Sequence, residues 1–146
     1  MDQITEHPTV AVEGGRVRGT RTDGVDRYFG IPYAAAPVGL LRFQAAKPRD
    51  PWPGEWDATT FGPTAPYRLK DFPALDLTPL VGTGWSPGDD YLNLNVWTPA
   101  EPSQLRLPVM VFIHGGAWVG GTGSASAQNG TSFARHGVVC VTINYR

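Results

Sequence analysis

The clearest alternation of apolar and polar positions lies in the last third of the chain and predicts a β-strand. Across residues 91–98, leucine or valine at every second position alternates with asparagine and tryptophan, as in a half-buried strand. Residues Val109–Ile113 and 138–143 are instead continuous apolar runs rich in β-branched side chains. Such runs are typical of strands that are covered on both faces.

A short helix is predicted between these two apolar runs. Asn129-Gly-Thr131 offers a cap, residues 132–136 are long enough for a turn or two of helix, and Gly137 suits the C-terminal cap. Strand, glycine-rich loop, helix and strand together make a βαβ unit. This order predicts the α/β class with a mostly parallel sheet.

The beginning of the chain predicts three shorter strands joined by tight turns. The strands are Thr9–Val12, 16–20 and 26–33, and the turns are Glu13-Gly-Gly15 and Thr22-Asp-Gly24. Asp-Gly is a strong hairpin signal, so we expect antiparallel hairpins at the edge of a larger sheet.

Residues 35–88 are rich in proline, which lacks a backbone N–H and restricts the residue before it. The segment is therefore incompatible with a long helix or a central strand. We predict an ordered loop that wraps the rest of residues 1–146, which we interpret as the N-terminal part of a single domain. The aromatic side chains of Phe43, Trp52, Trp56 and Phe61 would anchor it to the body of the domain.

Composition narrows the range of functions. Of the 146 residues, 41% are hydrophobic and 17% are charged, which suits a domain with a buried core. The formal net charge of −1 argues against a nucleic-acid partner. A membrane partner is not expected, because no apolar stretch approaches the roughly 20 residues of a spanning helix. The first residues do not resemble a signal peptide and Cys140 has no second cysteine to pair with, so we expect a cytoplasmic protein.

The candidate chemistry lies in a glycine-rich loop that follows the strand ending at Ile113. In His114-Gly-Gly-Ala117, small residues let the backbone approach a ligand and turn its N–H groups outward. Two such groups can hold an oxygen that becomes negative during acyl transfer, and each donor contributes about 3–4 kcal/mol. Loops of this kind form part of the oxyanion hole in lipases and esterases.

Two other interpretations of this loop compete with an oxyanion site. A nucleotide-binding loop disagrees with the sequence, because no lysine follows the glycines and no Gly-x-Gly-x-x-Gly fits between Gly115 and Gly130. A glycine-rich turn without chemistry stays open when the four residues are considered alone.

A longer series of segments resembles the type-B carboxylesterases, the family that includes bacterial p-nitrobenzyl esterases and cholinesterases. The matching segments occur in the family's order and spacing: 14–19, 29–34, 37–39, 41–43, 52–54, 57–59, 89–96, 107–117 and 142–146. The resemblance implies the N-terminal part of an α/β-hydrolase fold. It also implies a small-molecule carboxylic ester as substrate, with no metal and no organic cofactor.

The resemblance assigns roles to residues of the glycine-rich loop. The backbone N–H groups of Gly116 and Ala117 would stabilise the oxyanion. His114 would not be the catalytic histidine; it would orient the loop or pack at the end of the strand. Trp118 would lie beside the acyl or alcohol pocket, or would be a plain core aromatic.

Two further implications of the resemblance concern residues away from this loop. Arg42 would pair with Asp89, which stands where the family has the acid of a Glu-Asp dipeptide, as a structural link. Ala65 and Tyr91 occupy the positions at which many relatives form a disulfide, which agrees with a reducing compartment.

The family's nucleophilic serine, acid and histidine all follow the Asn-Tyr-Arg found here at 144–146, so the resemblance places them outside this chain. Gly84-Trp-Ser-Pro-Gly88 matches the Gly-x-Ser-x-Gly elbow only in its letters. An elbow needs a buried strand before the serine and an N–H from the residue after it, and Pro87 has none. Ser86 is therefore predicted to be a loop residue.

Three functional hypotheses follow. In the first, the chain and the remainder of the same hydrolase domain form a carboxylesterase that works through an acyl-serine intermediate. In the second, the protein is a non-catalytic, cholinesterase-like binding protein. In the third, residues 1–146 alone are an inactive and poorly soluble fragment, because a parallel sheet with two covered strands would expose apolar edges.

Overall fold

The computed structural model describes residues 6–69, 73–101 and 106–146, which form two β-sheets and two short α-helices. The strands are β1 (Thr9–Val12), β2 (Gly15–Arg18), β3 (Thr20–Thr22), β4 (Val25–Pro32), β5 (Glu55–Asp57), β6 (Asn93–Pro99), β7 (Val109–Ile113) and β8 (Val139–Ile143). The helices are α1 (Thr78–Val81) and α2 (Thr131–Arg135).

The larger sheet is mixed, with five strands in the order β3-β4-β6-β8-β7. β3, β4, β6 and β8 pair antiparallel with one another in turn, whereas β7 and β8 are parallel. The described strands therefore begin as antiparallel pairs and end in a parallel pair, in agreement with the predicted hairpins at the edge of a larger α/β sheet. A parallel pair needs a long crossover connection, and the segment containing α2 supplies one for β7 and β8. The predicted βαβ unit is confirmed, but the N-terminal strands continue the same sheet.

A smaller sheet joins the start of the chain to the proline-rich segment 35–88. Its order is β1-β2-β5, and β2 pairs parallel with β5. The sequence pattern does not indicate β5, because this strand has only three residues and follows two prolines. Trp52 and Trp56 anchor the segment as predicted, with ring centroids 5.6 Å apart against the Val17 cluster. Phe43 does not, because it is 86% exposed.

The alternation predicted across residues 91–98 is present in β6, but its most buried face is the polar one. Asn93, Asn95 and Trp97 are buried, while Leu94 and Val96 are half-buried. Trp97 packs in an apolar cluster with Cys140, so tryptophan and asparagine share the inward face. The asparagines are tolerated there because they are hydrogen-bonded.

The apolar run in β7 is not covered on both faces as predicted. Val109, Val111 and Ile113 are 61%, 55% and 63% exposed. β7 is the last strand of the sheet and pairs only with β8 within the described ranges. The continuous apolar run thus forms an open edge.

The caps predicted around α2 are confirmed. The Asn129 side chain accepts a hydrogen bond from the N–H of Thr131 at 2.9 Å. After the helix, Gly137 has a φ of 78°, and its N–H donates to the Ala134 carbonyl at 3.0 Å. None of the helices in the described ranges has the length and hydropathy needed to traverse a lipid bilayer.

Candidate active site

The glycine-rich loop begins where β7 ends at Ile113 and doubles back within a few residues. Ala117 and Trp118 have φ values of 53° and 63°, and the N–H of Val119 donates to the Gly116 carbonyl at 3.0 Å. Positive φ at both central positions is the signature of a type I′ turn, which usually contains glycine or asparagine. Two adjacent non-glycine residues in this region carry backbone strain of about 1–3 kcal/mol each, and such strain is characteristic of functional sites.

Glycine is required at two positions because the loop folds closely on itself. A side chain on Gly116 would collide with the carbonyl oxygen of Gly120. A side chain on Gly121 would collide with the carbonyl oxygen of Gly115 and the ring of His114. Gly115, in contrast, faces open space, since a Cβ there would meet no atom within 4 Å.

The two backbone amides that the resemblance singled out lie at the wall of an open cavity. No residue in the described ranges accepts a hydrogen bond from the N–H of Gly116 or Ala117. Both residues line a cavity of about 290 Å³, which we call the loop cavity. Its lining is completed by Ile113, His114, Gly115, Trp118 and Tyr145. Two adjacent, unpartnered donors at a cavity wall are the arrangement that receives negative charge on an oxygen.

His114 is a packing residue beneath this loop. It is only 6% exposed, and its ring stacks on that of Tyr145 with centroids 4.3 Å apart and planes 14° apart. The Tyr145 hydroxyl also donates to the His114 carbonyl at 2.9 Å. These contacts fix the start of the loop against the end of β8, in agreement with a positioning or packing role for His114. Tyr145 was not among the predicted site residues, although it lies in the matching segment 142–146.

Trp118 occupies the outer wall of the loop cavity. Its side chain is 89% exposed, so the interpretation as a core aromatic is wrong. The ring meets Tyr145 edge-on, with centroids 6.1 Å apart. Trp118 is thus available to contact whatever enters the loop cavity, and its role beside an acyl or alcohol pocket stays a prediction.

A buried network of amide side chains holds the far end of the loop. Asn144 accepts hydrogen bonds from the N–H of Gly123 at 2.8 Å and from the Thr122 hydroxyl at 3.1 Å. The Thr142 hydroxyl donates to the Gly123 carbonyl at 2.6 Å, and Asn95 donates to the same oxygen at 3.3 Å. Because these groups are buried, they need such partners, and the loop is consequently anchored to β6 and β8.

The predicted ion pair between Arg42 and Asp89 is wrong. The Arg42 guanidinium lies 5.1 Å from the ring centroid of its neighbour Phe43. The pair that forms instead joins Arg49 to Asp90 at 2.6 Å, with Arg49 also stacked over Trp56 at 5.0 Å. Arg42 and Asp89 are both exposed, and an exposed pair contributes too little to impose its own geometry.

Ser86 lies in a loop, as predicted. Its N–H donates to the Thr64 hydroxyl at 3.0 Å, and its carbonyl accepts from the Thr64 N–H at 3.1 Å. His7 and His136 contact the backbone carbonyls of Gly19 and Ser132, at 3.0 and 2.8 Å. The described part of the chain contains no cluster of three or more His, Cys, Asp or Glu side chains suited to a metal ion.

Comparison with known proteins identifies the family to which these features belong. The model of the carboxylesterase family matches residues 6–146. The chain belongs to the carboxylesterase family. It is 42% identical over 141 residues to the para-nitrobenzyl esterase of Bacillus subtilis (strain 168), covering 96% of this chain and 28% of that protein. Carboxylesterase 3 of Homo sapiens is 40% identical over 151 residues, covering 95% of this chain and 26% of that protein.

Solved structures of this family agree with the fold. A PNB esterase structure is 41% identical, with a TM-score of 0.82 over 97% of this chain and 28% of the other. The carboxylesterase EST55 of Geobacillus stearothermophilus is 41% identical, with a TM-score of 0.77 over 94% of this chain and 26% of the other. The chain therefore has the fold of the N-terminal portion of an α/β-hydrolase. It spans little more than a quarter of the length of the curated relatives it matches.

Proposed function

We propose that the protein in which this chain occurs hydrolyses small-molecule carboxylic esters through an acyl-serine intermediate. In this proposal the chain supplies the oxyanion-binding amides of Gly116 and Ala117, and the remainder of the domain supplies the serine, the acid and the histidine. The observation that carries it is the pair of unpartnered N–H groups at the loop cavity. Membership of the carboxylesterase family supports the same class of substrate.

The loop geometry accounts for the chemical contribution of this chain. When the serine oxygen attacks the ester carbonyl, the carbonyl oxygen acquires negative charge. The N–H groups of Gly116 and Ala117 would donate to that oxygen in the intermediate and again when water releases the acid. Because His114, Tyr145 and Asn144 already hold the loop at both ends, the donors need little reorganisation during the reaction.

The test is an assay of the complete protein with p-nitrophenyl acetate, together with labelling by a fluorophosphonate that reacts with activated serines. We expect turnover of the ester and labelling of one serine outside residues 1–146. A complete protein that neither turns over esters nor takes the label would contradict the proposal and favour the non-catalytic binding protein.

A further inference from the structure

The ring of Tyr67 lies directly against the glycine-rich loop at Gly120. A Cβ built on Gly120 would lie 3.1 Å from Cδ2 of Tyr67, and the two next-nearest atoms also belong to Tyr67. Tyr67 also lines a second cavity, of about 270 Å³, together with Gly116 and Ala117. A single aromatic ring thus packs on the loop and borders the proposed donors.

The hydroxyl of Tyr67 is fixed at the other end. It donates to the Val81 carbonyl at 2.9 Å and accepts from the Gly84 N–H at 3.1 Å. Burial raises the pKa of this phenol above its ordinary value of 10.0, at which the hydroxyl is already protonated at neutral pH and able to donate. The two bonds orient the ring from the end of helix α1.

Close packing couples the position of Tyr67 to the positions of the Gly116 and Ala117 amides. The Gly120 carbonyl lies so near Gly116 that no side chain fits between them, so Gly120 cannot move inward without displacing Gly116. The strained turn at Ala117 and Trp118 needs surroundings that keep it in place. Tyr145 supports the beginning of the loop, whereas the contact with Tyr67 supports its second half.

We propose that Tyr67 is a positioning residue for the oxyanion loop, fixing Gly120 and, through it, the amides of Gly116 and Ala117. This role rests on the proposed ester hydrolysis. In this role the segment after α1, which binds the Tyr67 hydroxyl, also helps to position the loop, although that segment touches no reacting atom.

The experiment compares Tyr67→Leu and Tyr67→Phe in the complete protein with the matched control Tyr91→Leu. Tyr91 is half-buried like Tyr67 but lines neither the loop cavity nor the second cavity. For Tyr67→Leu we expect kcat to fall about 10- to 100-fold with KM nearly unchanged, because misplaced donors act on the transition state. A trifluoromethyl ketone, which forms an oxyanion on the enzyme, should bind more weakly by the same factor. Tyr67→Phe keeps the ring on Gly120 and should retain most of kcat.

Gly120→Ala tests the contact between Gly120 and Tyr67 by changing the loop instead of the ring. It replaces Tyr67→Leu as the test if that variant does not fold. Its methyl group would press on the ring of Tyr67, so kcat should fall several-fold, and by less when Tyr67→Leu makes room. The role is overturned if kcat in the folded variants equals that of Tyr91→Leu, or if only KM or thermal stability changes.

A separate measurement distinguishes this inference from the proposed function. If the unmodified protein turns over no ester, the proposed function fails, and hydrogen exchange across residues 114–121 then decides the positioning role. Faster exchange in Tyr67→Leu than in Tyr91→Leu supports the positioning role, and equal exchange contradicts it.

Discussion

At residues 116–118 the backbone adopts conformations that are costly for most side chains, and the neighbouring packing keeps it there. Gly116 has a φ of 130° and no room for a Cβ, while Ala117 and Trp118 remain in the left-handed region. Position 116 therefore requires glycine, because neighbouring atoms leave no space for a side chain. Ala117 and Trp118 can adopt the strained conformation because their side chains face a cavity. The positions of the two unpartnered amides depend on this combination of a crowded glycine and two strained residues.

The substitution Gly116→Ala adds one methyl group and tests whether the position of the amides depends on glycine at this residue. The added methyl group would collide with the Gly120 carbonyl, and we expect a loss of about 1–3 kcal/mol in the free energy of unfolding. In the complete protein, kcat for p-nitrophenyl acetate should fall by about 10²-fold or more. Urea unfolding and steady-state kinetics measure the two effects.

The matched control is Gly115→Ala, whose methyl group meets no atom within 4 Å. Its free energy of unfolding should change by less than about 0.5 kcal/mol. Equal losses in the two variants would show that any side chain in this loop is disruptive, which disagrees with the specific crowding at Gly116.

At the scale of elements, strands β6 and β8 hold the loop through polar rather than apolar side chains. Asn144 is 3% exposed and joins Gly123, Thr122 and Asn93 with the carbonyl of Pro63. A buried amide in such a network costs free energy only if its partners are lost. The strands thus combine sheet pairing with the fixing of a distant loop.

Asn144→Ala should lower the free energy of unfolding by about 2–4 kcal/mol, because the buried N–H of Gly123 loses its acceptor. Asn129→Ala is the comparison, since Asn129 is exposed and accepts a single bond, from Thr131. That variant should lose about 1 kcal/mol. Chemical denaturation of both variants measures these losses in the free energy of unfolding. Similar losses would contradict a special role for the buried network.

The smaller sheet offers a prediction on pH. The hydroxyl and N–H of Thr59 hold the pKa of Asp57 below its ordinary value of 3.8, and Arg18 of β2 lowers it further. A carboxylate whose pKa is lowered by folding stabilises the protein above 3.8, and this contribution is lost as the pH falls through the folded value. Asp57→Ala should therefore cost about 0.5–1 kcal/mol at neutral pH and less in acid.

Denaturation midpoints at pH 7 and pH 3 measure this difference. Asp50→Ala is the control, because Asp50 makes no hydrogen bond or ion pair with the described residues. A difference between Asp57→Ala and the unmodified protein that does not shrink in acid would show that packing, not charge, is responsible.

At the scale of the whole molecule, the described chain has a core on one side and an open apolar strand on the other. Four of the five β7 residues are exposed: Val109, Val111, Phe112 and Ile113. An exposed edge strand with apolar side chains is a template for pairing with another chain. Residues 1–146 without further sequence should therefore associate.

We expect the isolated segment 1–146 to aggregate and to show no ester hydrolysis above background. Val111→Lys places a charge on the open strand and should reduce aggregation, as measured by light scattering. Leu40→Lys removes a side chain that is 95% exposed but lies outside the strands, and it should have a smaller effect. Equal effects would assign the aggregation to general hydrophobicity, and turnover by the isolated segment that is lost in Ser86→Ala would contradict its predicted inactivity.

Features that depend on a few neighbouring residues can be predicted from the sequence alone. The bounds of β1 and β7, the caps of α2 and the glycine-rich loop after Ile113 follow from local propensity and backbone conformation. The family resemblance placed the amides of Gly116 and Ala117 in that loop before any geometry was known, and their catalytic role stays a prediction.

Tertiary structure decided whatever depends on residues distant in sequence. The antiparallel order of β4, β6 and β8, the burial of the asparagine face and the Arg49–Asp90 pair required partners far along the chain. The support of Gly120 by Tyr67 belongs to the same class, since those residues are brought together only when the proline-rich segment folds over the loop. Pairing and burial depend on which surfaces meet, and an alternation of residue types does not specify its partner.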